Sequence, residues 1–244
     1  MLRIEICTNG YQSVINAQEN GAHCTELCES LEVGGVTPSY GTLKKVAADM
    51  RIPVRVLIRP RSGNYIYNDA ELEMMCLDIK LIKELGYEGV VIGALNENGD
   101  IDVPKIKAMM QAGEGMKFTF HRAIDACNNP MEALQTLVDL GFDKVLTSGC
   151  KPTAVDGIDM IRQMHERFGD KIKIMAGGGV NVGNVMKIIS ETGISNCHAS
   201  LTVDVDNYNQ NLYPEKVDNT GAAMCWKVSS PLNIKEMLNL VENC

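Results

Sequence analysis

The 244 residues carry 31 Asp and Glu against 23 Lys and Arg, a formal net charge of -8. With no segment of clustered Lys and Arg, that balance excludes a nucleic-acid backbone as partner, because such binding draws on counterions released by basic side chains. Hydrophobic residues make up 45% of the chain, the composition of a globular protein with a real core. No run is apolar for long enough to span a bilayer, so no membrane association is expected.

The chain opens Met1-Leu2-Arg3-Ile4-Glu5-Ile6-Cys7, a strand-like run without an apolar signal core. The nine cysteines are scattered without the paired spacing of a disulfide scaffold. Reduced thiols and a cytoplasmic location are therefore expected.

Helix-period segments then alternate with short β-branched or apolar runs, the signature of βα units around a parallel sheet. An acidic-x-Gly-apolar pattern recurs at Glu19 to Ala22, Glu84 to Tyr87, Asp139 to Phe142 and Glu191 to Ile194. Each copy follows an amphipathic segment and precedes a strand candidate, where glycine accepts the left-handed conformation that ends a helix. The four glycines are spaced by roughly twice the length of one βα unit. Further strand candidates fall between them, at Pro53 to Ile58, Met116 to His121 and Ile172 to Met175, with Arg3 to Cys7 before the first. Four pairs of strands predict a single α/β domain over 1–244, a closed (β/α)8 TIM barrel with its reactive groups at the C-terminal strand ends. An open doubly wound sheet is the alternative, but the first turn lacks a Gly-x-Gly-x-x-Gly fingerprint. The barrel is followed by a polar, helix-poor loop over 201–230, in which Trp226 is read as packing the loop down. A final helix over 231–243 is expected, with Ser230 as N-cap and Pro231 at its first position.

Strand alternation assigns the facing of each side chain. Ionised Glu5 under apolar helices would be costly, so Ile4 and Ile6 face outward while Glu5 and Cys7 face the lumen. The same argument sends Glu26 and Cys28, Arg59, and Thr119 and His121 inward. Cys24 shares this parity but lies deeper and is read as core, and His23 belongs near the opposite barrel end. Two inward thiols on neighbouring strands about 4.8 Å apart suit a soft ion, although a buried cysteine also behaves as a small hydrophobe.

Two inward carboxylates, Glu5 and Glu26, would supply an acid and a base, with His121 titrating near neutrality. Arg59 and Arg61 would recognise a carboxylate or phosphate. The run Gly177-Gly178-Gly179, followed by a helix start near Asn181 and Asn184, suits an anion at the barrel rim, and Thr147-Ser148 at the sixth strand end would donate to the same ligand. These residues point to a lyase or isomerase acting on a small anionic substrate. They fit a buried ion network of Glu5 and Glu26 with Arg59 and Arg61 nearly as well. Only Lys173 is a candidate for an inward lysine, and its parity is ambiguous, so a Schiff base is not the reading. Asp125 would orient Arg122 or cap the next helix.

The stretches Ile4 to Cys7, Gly21 to Cys28, Gly34 to Ser39, Ile58 to Tyr65, Thr119 to Asp125, Val145 to Gly149, Met175 to Val180 and His198-Ala199-Ser200 together resemble the copper homeostasis protein CutC family. The resemblance covers essentially the whole chain. It implies a TIM barrel, a cytoplasmic homo-oligomer (dimer or tetramer), and Cu(I) as the ion, with Cys7 and Cys28 as its ligands. Within these stretches, His198 joins Glu5, Glu26, Arg59, Arg61 and His121 in the candidate enzyme site, with Ser200 a candidate for binding the same anion. The chain departs from the family pattern at His23, Cys24 and Thr25, where Asp-Arg-[Ile/Val] is usual, at Ser62 to Tyr65, and at Ala199.

Overall fold

The computed structural model describes residues 2–205 and 226–242. Eight parallel strands close into a barrel in sequence order. They are β1 (Arg3–Asn9), β2 (Cys24–Cys28), β3 (Val54–Leu57), β4 (Gly89–Ile92), β5 (Lys117–Phe120), β6 (Lys144–Thr147), β7 (Lys173–Ala176) and β8 (Asn196–Ala199), with β8 pairing back onto β1. The helices between them are α1 (Gly10–Glu19), α2 (Tyr40–Asp49), α3 (Asp69–Glu84), α4 (Val103–Ala112), α5 (Pro130–Leu140), α6 (Ile158–Phe168) and α7 (Val185–Thr192). None of the helices in the described residues is long and apolar enough to cross a membrane. The repeated glycines Gly21, Gly86, Gly141 and Gly193 all have positive φ, between +74° and +88°, which supplies the left-handed residue each helix end needs.

The facing follows the alternation. Ile4, Ile6, Leu27, Val56, Ile58, Phe118 and Phe120 join the apolar layer between strands and helices, where Phe120 meets Phe142 edge to face. Cys7, Cys28, Leu57 and Val91 form a second, smaller apolar group inside the barrel. Leu146 and Met175 also line the lumen, which is otherwise polar. A slip of one residue in any strand would exchange these two faces, so burial of the outer layer fixes the register.

After β8 the chain turns into β9 (Thr202–Val205), which pairs antiparallel with β10 (Trp226–Ser229). The stretch read as a polar, helix-poor loop thus carries strands at both of its ends, and its residues 206–225 lie outside the described residues. Trp226 sits opposite Val205 and is nearly half exposed, and the loop it is read as packing lies outside the described residues. The ribbon is pinned to the barrel rim by Ser229, whose amide donates to Ser13 and whose hydroxyl donates to the Cys7 carbonyl. Ser230 then accepts from the Asn233 amide, as an N-cap, ahead of the last described helix, α8 (Pro231–Glu242).

Close approach of β4 to β5 requires Gly89. A Cβ there would lie 2.3 Å from the Lys117 carbonyl oxygen. Gly89→Ala is expected to destabilise the fold by about 3 kcal/mol, the upper end of ordinary overpacking, measured as a drop in the urea midpoint. An unchanged midpoint would contradict the strand spacing.

Candidate functional site

Two polar layers fill the barrel, and the lower one is an ion cluster. Glu5, only 2% exposed, accepts from the Lys144 ammonium at 2.6 Å and faces His198 Nδ1 at 3.1 Å. The Cys24 thiol points at the same carboxylate, 3.8 Å away. Burial alone would push the Glu5 carboxyl up, but the Lys144 charge and the His198 hydrogen bond more than offset it and hold the group well below the usual carboxylate range. Beside it Arg55, also lumen-facing, spans Asp143, Glu88 and Thr119. A small cavity at the N-terminal mouth is lined by Glu5, His23, Cys24, Arg55 and Lys144, which places His23 at the end expected for it.

Three sequence expectations change here. Glu5 sits one layer below the rim, with its carboxylate held in an ion cluster. Its partners are Lys144 and His198 rather than Arg59 and Arg61. The buried inward lysine is Lys144, while Lys173 is exposed at the N-terminal mouth.

The upper layer opens into a cavity of about 700 Å³ at the C-terminal strand ends. Register sets its floor, since Cys7 pairs with Glu26 and Asn9 with Cys28. The two sulfurs are 4.0 Å apart and both residues are buried. The contact with Cys28, together with burial, holds the Cys7 thiol well above its ordinary range. Cys7, Glu26 and His198 offer ligand atoms that lie within 4.8 Å of one another. Burial, with a further push from Glu5, raises the Glu26 carboxyl to about 7, and its Oε2 has no hydrogen-bond partner among the described residues. His198 moves the other way from a buried imidazole, well up, because Cys7, Glu26 and Glu5 surround it.

His121 does not titrate near neutrality. Burial, and then the Arg59 charge, lower it to about 3. Its Nδ1 accepts from the Ala123 amide at 3.1 Å. Arg59 lines the cavity, with three of its five N–H bound to the carbonyls of Val33, Gly35 and Gly63. Arg61 turns away to Glu71 and supports the capping box of α3. Asp125 does orient Arg122, at 2.9 Å, and it also takes the hydroxyls of Thr147 and Ser148. Those two hydroxyls are therefore committed to Asp125. Gly178, Gly179 and Ser200 line the cavity, and Gly177 lies against His198. A turn over 182–184 separates the glycines from α7.

The CutC family model matches residues 2–203 of this chain. The chain belongs to the CutC family. A CutC family protein from Bacteroides fragilis is 45% identical over 199 residues, covering 80% of this chain and 78% of its own length. The human copper homeostasis protein cutC homolog is 42% identical over 197 residues, 81% of this chain and 72% of the human one. A crystal structure of CutC from Streptococcus agalactiae superposes with a TM-score of 0.78 at 34% identity, covering 82% of this chain and 99% of that one. Phosphoribosyl anthranilate isomerase from Thermococcus kodakaraensis, at 13% identity, shares the fold alone, with a TM-score of 0.61 and full coverage of both chains. The CutC match ends at residue 203, just inside β9, so β10 and α8 lie beyond it.

The lower layer of this CutC chain yields a stability test. Removing one member of a buried ion pair costs about 3–5 kcal/mol, so Lys144→Met should lose that much at neutral pH. Glu5 is depressed in the folded state, and its contribution is present above its unfolded value of about 4.3 and lost as pH falls toward the folded one. In urea titrations the gap between wild type and Lys144→Met should therefore narrow on acidification. A gap independent of pH would contradict the pairing.

Proposed function

We propose that this chain serves copper homeostasis by binding Cu(I) through Cys7 and Cys28. The observation that carries the reading is the pair of buried sulfurs 4.0 Å apart at the floor of an open cavity. With metal–sulfur bonds of about 2.3 Å, that separation corresponds to an S–metal–S angle of about 120°. Such an angle leaves room for a third ligand, and Glu26 and His198 stand beside Cys7. Soft thiolates favour Cu(I) over harder ions. The family and the human relative's name support the copper role.

One observation favours a second reading, a lyase or isomerase on a small anion. Glu26 carries an unpartnered buried oxygen and titrates at about 7, where one group can both take and return a proton. On this reading Glu26 is the acid–base group and Glu5 only holds the frame around it.

Anaerobic Cu(I) titration against a competing chelator tests the first reading. Cys7→Ser with Cys28→Ser should weaken binding by more than about 100-fold, beyond the effect of outer-shell changes. Because the Cys7 thiol is raised and must lose its proton to bind, wild-type affinity should fall as pH is lowered. Unchanged affinity in the double variant would remove the thiol site.

A further inference from the structure

The cavity is far larger than an ion requires and falls in the range of about 300–1,000 Å³ typical of small-molecule sites. Three buried residues that line it, Glu26 on β2 and Arg59 and His121 just past the ends of β3 and β5, each carry a polar atom that meets no partner among the described residues. These are Oε2 of Glu26, Nε of Arg59 and Nε2 of His121, on residues 4%, 6% and 5% exposed. Orphaned buried groups of this kind cost stability unless a ligand satisfies them.

Their chemistry differs in a way that defines the ligand. Because the Ala123 amide donates to Nδ1 of His121, the proton of the neutral ring sits on Nε2, which is therefore a donor. The ring is held in place by Tyr65, with centroids 4.8 Å apart, and by Gly93, where a Cβ would come within 2.4 Å of it. Tyr65 also lies under the Arg59 guanidinium, 5.4 Å from its centroid, which brings cation and neutral donor to one ring. Arg59 offers one full positive charge and two free N–H, at Nε and on Nη2, a match for one monoanionic carboxylate. A neutral N–H donor suits a carbonyl or hydroxyl oxygen.

We propose that this cavity binds a small 2-oxo or 2-hydroxy acid, its carboxylate facing Arg59 and its adjacent neutral oxygen accepting from the Nε2–H of His121. Glu26 lines the same cavity from β2. The inference deepens the second reading by naming its substrate class. Binding is read without turnover, so an acid that binds and is not converted removes the enzyme reading and leaves this one standing.

The test is nitrogen-15 NMR of the histidine rings in the full chain, titrated with pyruvate, glycolate and inorganic phosphate. His121 should show the neutral Nε2–H tautomer unchanged between about pH 5 and 8, a window in which a free imidazole would titrate. Pyruvate or glycolate should move that resonance saturably, with phosphate at least about tenfold weaker. His121→Phe should cost about tenfold in affinity for the acid, the loss of one hydrogen bond to a buried site. A proton on Nδ1, a His121 titration near neutrality, or no saturable shift with pyruvate and glycolate would each overturn the proposal. Phosphate binding equal to or tighter than both acids would overturn the ligand class.

Discussion

An ionised carboxylate cannot face the apolar layer between strands and helices, and this constraint on Glu5 fixes the facing of β1. With Glu5 inside, Ile4 and Ile6 are outside and Cys7 is inside, two residues further up the strand. Pairing with β2 then sets Cys7 beside Glu26, and β2's own alternation brings in Cys28. Taking Glu5 out of water costs several kcal/mol unless charge and hydrogen bonds are returned to it. Lys144, from β6, and His198, from neighbouring β8, return both.

The two layers give like residues unlike roles. Glu5 is locked as an anion by a cation in contact, whereas Glu26, with burial dominating, is poised at about 7. His198 is surrounded by acidic groups and moves up, while His121, beside Arg59, moves down to about 3. Environment thus drives the two carboxylates apart and the two imidazoles apart. The thiol pair and the orphaned polar atoms both belong to the upper layer.

Much of this was legible in the sequence. The glycine repeat located the helix ends, and alternation placed Glu5, Cys7, Glu26, Cys28, Arg59 and His121 on the lumen side. What failed was height and partner choice. Glu5 lies a layer below Glu26 because β1 and β2 are staggered, and no local pattern shows stagger. Lys144 reads as a solvated flank at the start of β6, and its partner is 139 residues away in sequence. Arg61 lies beyond β3, where strand alternation no longer governs, and the capping box of α3 claims it. His121 was given the wrong titration range because burial and the Arg59 charge act across strands.

The thiol floor is the central claim, and copper K-edge absorption fine structure of the Cu(I)-loaded protein tests it most directly. The account predicts two sulfur scatterers per copper, joined by no more than one nitrogen or oxygen. A shell of nitrogen and oxygen without sulfur would contradict it.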